Sequence, residues 1–275
     1  MASPKRDPGT SGVPWLRRLR ALPNDNPVKT LLVVLLVCLC ASLLVTGSAV
    51  LLRPAQLANQ ERERQARLAE IIAQLPGGEA GPHVEARVVD LASGEYAEGI
   101  DPTDFDQREA VKDPARSLAL APERDIARIT RRAHHAVVYL VHSGDRLDLV
   151  ILPVYGRGFG SVLRGFLGLS GDTREVVGLV FHEHNETPGL GALIDDRRWL
   201  AQWRGKRVWD ARGQPALGVA AGEVAPGSPE QAHLVDGLTG ATWTGQGVTG
   251  LLRFWLGDDG FGPYLRNLRD RRGLR

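Results

Sequence analysis

Three threonines, Thr239, Thr242 and Thr244, stand among Asp236, Gly237, Gly240 and Ala241 in the segment DGLTGATWTGQGV, which runs from Asp236 to Val248. So little bulk lets a ligand come close to the backbone. The run after it, TGLLRFWL, reads as a helix. A helix N-terminus offers free N–H donors and the positive end of the peptide dipole. A threonine hydroxyl at that place can hold a phosphate or be esterified by one. Equally, Thr242 or Thr244 can cap the helix while the glycines turn the chain. Residue types leave both readings open.

A second segment, Glu186-Thr187-Pro188-Gly189-Leu190-Gly191, joins a proline-fixed φ to two glycines. That suits a rigid loop lying close to a flat ligand, and equally an ordinary tight turn after a strand. A third, GRGFGSVLRGFLGL (Gly156 to Leu169), is compatible with a glycine-rich ligand loop and equally with a glycine-loosened helix packed on the core. Trp243 either covers a ligand ring or belongs to the core. Gly245-Gln246-Gly247-Val248-Thr249-Gly250 matches the dinucleotide pattern G-x-G-x-x-G. That pattern needs a strand before it and a βαβ return after it, and the tail to Arg275 offers no return strand. His182 and His184 share a face if the segment is a strand, and His134-His135 adds two more imidazoles. No H-E-x-x-H spacing accompanies them, so no metal site is assigned. Nothing resembles a nucleophile elbow.

These segments need a scaffold. HVEARVVDL alternates as a strand does, and GEYAEGIDPTDFD reads as an acidic loop. AVVYLVH and LDLVILPVY are β-branched runs split by SGDR, a hairpin signal. REVVGLVFHEH is a further strand. DDRRWLAQWRGK predicts a short helix with Trp199 and Trp203 on one face. Strands cluster instead of alternating with helices, which predicts an α+β domain on a twisted, mostly antiparallel sheet.

Charge and hydropathy divide the chain. The formal net charge is +2. Residues 1–29 carry Lys5, Arg6, Arg17, Arg18, Arg20 and Lys29 against Asp7 and Asp25, so everything after them is slightly acidic. A domain without a basic face is not built for nucleic acid, and the arginines from Arg266 to Arg275 read as a solvated terminus. Thr30 to Leu52 contains no charge, and as a helix it would cross the ~30 Å hydrocarbon core of a membrane. It is too long for a signal-peptide core and lacks a small-residue cleavage site. The basic flank before it predicts a cytoplasmic N-terminus and an exported C-terminal domain, against the pull of Arg53, Arg62, Arg64 and Arg67. AQLANQERERQARLAEIIAQL, after Pro54, reads as a helical stalk ending at Pro76-Gly77-Gly78. The expected divisions are a basic tail (1–29), a membrane helix (30–52), a stalk (53–78) and an exported domain (79–275). Cys38 and Cys40 lie inside the span and leave that domain no disulfide.

Asp236-Gly237-Leu238-Thr239-Gly240-Ala241-Thr242 resembles the flavinylation motif of the periplasmic FMN-binding domains in the C subunits of the sodium-translocating NADH:quinone oxidoreductase, a motif shared by the G subunits of the Rnf complex. Thr239 stands where that family commonly has serine. GRGFGS, ETPGLG with its downstream Trp199, Trp203, Gly205 and Lys206, and the entry NPVKTLLVV are similar to the same family in the same order. Gly160 departs from an aromatic at its position. The resemblance covers nearly the whole chain and favours the sodium-pump family over the Rnf relative. It implies FMN joined through its phosphate to Thr242 by a separate flavin transferase, with the DGLTGAT and ETPGLG residues around it. It also implies the other subunits of the complex as partners, a place in membrane lipid, and electron transfer toward quinone without a site for NADH or quinone in this chain. An uncharged anchor cannot conduct sodium by itself. The rival of another class is an anchored module that holds a phosphate-bearing ligand reversibly at the same loop.

Overall fold

The computed structural model describes Pro23 and residues 26–73 and 83–273, excepting the side chains beyond Asp270. The basic residues before Pro23 and the expected break at Pro76-Gly77-Gly78 lie outside the described residues. The chain divides into two compact units, one ending at Glu61 and the other beginning at Arg62.

In the first unit the helix α1, Pro27–Ala73, runs through Pro54 without interruption. Its apolar part is long enough to cross a membrane, and residues such as Leu44 and Leu51 stand exposed on it. Its last turns belong to the second unit, where Leu68, Ile71 and Ile72 pack on a sheet.

That sheet is antiparallel and has five strands in the order β1-β4-β5-β6-β7: β1 is His83–Asp90, β4 His135–Ser143, β5 Arg146–Arg157, β6 Val162–Ser170 and β7 Val176–Glu183. The expected hairpin joins β4 to β5 and turns at Gly144, whose φ of 61° suits glycine. The acidic loop separates β1 from a short helix α2, Gln107–Lys112. Two small pairs complete the strands: β2 (Ser117–Ala119) with β3 (Arg131–Ala133), and β8 (Gly218–Val219) with β9 (Leu234–Val235).

Both faces of the sheet are covered, which is why its strands read as almost unbroken apolar runs. One face sends Val138, Leu140, Val150, Leu152, Leu167 and Leu179 into the main core. There they meet Trp203, Trp255 and Phe261, all fully buried. The other face sends Val141, Leu149, Ile151, Phe166 and Val180 against the end of α1. Fully burying Ile71 there contributes roughly 1.5–3 kcal/mol. Gly168 makes the seat, since a Cβ on it would lie 2.7 Å from Ile71 Cγ2.

GRGFGSVLRGFLGL is therefore not a helix. It is the end of β5, a turn and the start of β6. Glycines weaken a helix, whereas here Leu163, Leu167 and Leu169 line one face at strand spacing. Among the described residues three further α-helices follow: α3 (Arg197–Ala201), α4 (Thr242–Leu256) and α5 (Gly262–Gly273). Asp196 caps α3 through its carboxylate, and Trp199 and Trp203 meet edge to face at 5.7 Å. The arginine-rich terminus is not merely a solvated tail. It forms α5, with Leu265 buried and Arg269 stacked over Trp209 at 4.6 Å.

Candidate functional site

Helix α4 begins at Thr242, and Ala241 occupies its cap position with no side-chain hydrogen bond. Neither threonine caps it. The first backbone bond back into the chain is Gly245 N–H to Ala241 O, 3.1 Å. Among the described residues, the N–H groups of Thr242, Trp243 and Thr244 have no protein acceptor. The first N–H groups of any helix lack an acceptor within it, and a Ser, Thr, Asp or Asn cap would take one of them; alanine at 241 leaves all three open. The Thr242 side chain is exposed beside them, and Trp243 is 60% exposed, which removes it from the core.

Thr244, two residues further along, behaves oppositely. It is 1% exposed, and its hydroxyl donates to Glu186 Oε2 at 2.6 Å. Glu186 is itself 6% exposed. Ser161 Oγ donates to its Oε1 at 2.8 Å, and Phe159 N–H to its Oε2 at 3.3 Å. Burial pushes this carboxyl up, but the bonds from Thr244, Ser161 and the backbone of Phe159 and Gly160 outweigh it and hold it below the usual carboxylate range. Glycine makes the approach possible. A Cβ on Gly158 would lie 2.5 Å from Glu186 Oε1, and one on Gly191 would lie 2.6 Å from Thr244 Oγ1.

The three segments singled out in the sequence thus meet at one place. Gly158, Phe159 and Ser161 come from the β5–β6 turn, Glu186 and Gly191 from the loop after β7, and Thr244 from α4. Thr187, Pro188, Gly189 and Leu190 lie between Glu186 and Gly191, with Gly189 at a φ of 75° and Gly189 and Leu190 exposed. Leu190 reaches toward the other loop, where a Cβ on Gly240 would lie 2.9 Å from its Cδ2. Thr239 and Gly240 are exposed, while Ala241 is buried.

Asp236 and Gly237 hold the loop from behind. Asp236 Oδ1 accepts from Val224 N–H at 2.8 Å, its N–H donates to Gln202 Oε1, and its carbonyl accepts from Trp199 Nε1 at 2.9 Å. A Cβ on Gly237 would lie 2.7 Å from Ala220 O. The carboxylates of Asp236 and Glu186 therefore face protein donors, and the groups open to a ligand are the Thr242 hydroxyl, the three N–H donors and the exposed rims of the two loops. Sequence reasoning gave Ser161 no role of its own and Thr244 only a capping role. No local pattern links either to a glutamate on another segment.

The dinucleotide-like glycines have a different purpose. Gly247 and Gly250 let α4 lie on the chain, where their Cβ atoms would come 2.5 Å from Arg157 O and from Ile126 O. Gly156 does the same from the sheet side, against Leu251 Cβ at 2.6 Å. Two of the histidines have protein partners. His182 stacks on Phe166 with ring centres 5.1 Å apart, and His184 Nε2 bonds to Asp195 Oδ2 at 2.8 Å.

Comparison with known proteins agrees with this architecture. Residues 158–257 match the family model described as an FMN-binding domain. They contain the β5–β6 turn, the ETPGLG loop and the whole of α4. The C subunit of the Na(+)-translocating NADH-quinone reductase of Pseudomonas aeruginosa is 45% identical over 254 residues, spanning 90% of this chain and 97% of the relative. Its counterpart in Vibrio parahaemolyticus is 42% identical over 256 residues with the same coverage. Among solved structures, Shewanella oneidensis NqrC superposes with a TM-score of 0.67 at 32% identity, covering 77% of this chain and 98% of that one.

Proposed function

Since the chain belongs to the family of Na(+)-translocating NADH-quinone reductase C subunits, we propose that it carries FMN in phosphoester linkage on Thr242 and relays electrons between neighbouring redox subunits on their way to quinone. It is part of an oxidoreductase complex, and family membership sets aside the Rnf-type alternative. The observation that carries the attachment is the start of α4: an exposed hydroxyl next to three backbone N–H groups with no protein acceptor and no side-chain cap. This donor set fits a phosphate held at the positive end of a 15-residue helix.

When bound, the flavin supplies the redox chemistry, accepting and releasing electrons. The chain supplies the rest. The N–H groups of Thr242, Trp243 and Thr244 would hold the phosphate, Gly240 and Ala241 would leave room for it, and the exposed Leu190 and Trp243 would border the ring. Loading needs a flavin transferase that splits FAD: the Thr242 oxygen bonds to the FMN phosphorus, the pyrophosphate bond breaks, AMP leaves and the hydroxyl proton is released. Residues 1–29 stay in the cytoplasm, 30–52 cross the inner membrane and the domain faces the periplasm; the stalk ends within that domain, where Leu68, Ile71 and Ile72 pack on the sheet. Ion passage belongs to partner subunits.

Thr242→Ala, made together with a flavin transferase, should lose in-gel flavin fluorescence under denaturing conditions, and the wild-type protein should gain the mass of one FMN unit. Fluorescence surviving in the variant moves the attachment elsewhere. A wild-type protein that never acquires flavin supports reversible phosphate binding instead.

A further inference from the structure

Two hydroxyls lie two residues apart at the start of α4, in opposite surroundings. Thr242 is exposed to solvent, while Thr244 is buried against a carboxylate that also receives a hydroxyl and a backbone N–H from the β5–β6 turn. We infer that Glu186 is a positioning residue for cofactor attachment: its buried carboxylate ties the start of α4 to the two neighbouring loops, withdraws Thr244, and presents Thr242 as the one hydroxyl of the pair that a transferase can reach. This rests on the proposed attachment of FMN to Thr242.

Three observations make Glu186 a structural tie instead of a ligand contact. It is buried, with both carboxylate oxygens taken by Ser161, Phe159 and Thr244. The residues around it are cut to fit, because Cβ atoms on Gly158 or Gly191 would collide with it or with Thr244. It is also linked onward, since Ser161 Oγ accepts from Asn185 N–H at 3.0 Å and Glu186 N–H donates to His184 Nδ1 at 3.3 Å. His184 in turn is held by Asp195. The connection therefore runs from the end of β7 through the carboxylate to the first turn of α4.

The geometry also explains why α4 needs no ordinary cap. A side-chain cap at position 241 would consume an N–H that the phosphate requires. Thr244 instead secures the helix start from the side, through a hydroxyl bond that leaves the backbone donors free. A buried charge-assisted bond of this kind is costly to break from one end, because the partner stays desolvated.

The test uses the full chain made together with its flavin transferase, and reads the fraction of protein carrying one FMN by intact mass, with the modified residue located by peptide mass mapping. Circular dichroism reports whether each variant folds. Glu186→Ala and Thr244→Val should each reduce the loaded fraction at least tenfold at matched time, and the double variant should be no worse than Glu186→Ala alone, since both single changes remove the Thr244–Glu186 bond. Thr244→Ser keeps the hydroxyl and should restore loading to the wild-type level. Thr244→Val preserves shape, so it remains informative even where Glu186→Ala fails to fold. Folded Thr244→Val protein that loads like wild type overturns the inference while leaving Thr242 as the attachment site. Failure of Thr244→Ser to restore loading also overturns it. Absence of flavin on wild-type protein overturns the proposed function itself, a result distinct from both.

Discussion

His182 and His184 stand two residues apart and respond to acid in opposite directions. Desolvation beside Phe166 pushes His182 down to about 4 from its ordinary 6.5, with Glu183 pulling against it. In the unfolded chain this imidazole takes its proton near 6.5, while in the folded chain it stays neutral until about 4. The unfolded state therefore binds more protons in that window, and stability falls as pH drops through it. The size is roughly 1–3 kcal/mol after allowing for partial exposure. His184 is raised by its bond to Asp195, so its contribution is present below its ordinary value and fades as pH rises through the folded one. His182→Gln should flatten the loss of stability between pH 6.5 and pH 4, measured by urea denaturation at several pH values. Parallel losses in variant and wild type would assign the acid sensitivity to other groups.

Among the helices and strands, the seat of α4 on the end of β5 decides where the helix N-terminus lies. Gly247 faces Arg157 O and Gly158 Cα, at 2.5 and 2.9 Å from a Cβ built on it. Alanine is the better helix former by about 1 kcal/mol, so propensity alone predicts that Gly247→Ala stabilises the protein. The contact is with backbone, which cannot rotate away, and overpacking costs typically about 1–3 kcal/mol. We therefore expect net destabilisation, seen as a lower denaturant midpoint. Gln246→Ala, at the exposed neighbouring position, should change stability by no more than about 0.5 kcal/mol. A Gly247→Ala protein more stable than wild type would show that α4 is free to lift from the sheet.

For the molecule in its membrane, the governing quantity is orientation. The uncharged span with its basic leading flank predicts export of everything after it, although arginines also follow the span. Alkaline phosphatase fused after Arg275 in the full chain should be active in intact cells, and green fluorescent protein at the same point should be dark. The reverse pair of results would put the Thr242 site on the cytoplasmic side and remove the periplasmic assignment.

Local signals along the chain were enough for the strands with the clearest β-branched runs, the β4–β5 hairpin and the membrane-length apolar helix. Each of these depends on propensity, periodicity or turn chemistry, which neighbours in the chain suffice to express. Packing in three dimensions was needed to establish that GRGFGSVLRGFLGL is a strand pair, that Trp243 is exposed, and that the glycines of the dinucleotide-like pattern are contact surfaces. The same packing buries Thr244 and leaves Thr242 exposed. That last difference depends on a carboxylate at position 186 meeting a hydroxyl at 244, and contacts between distant segments leave no periodic trace in a single chain.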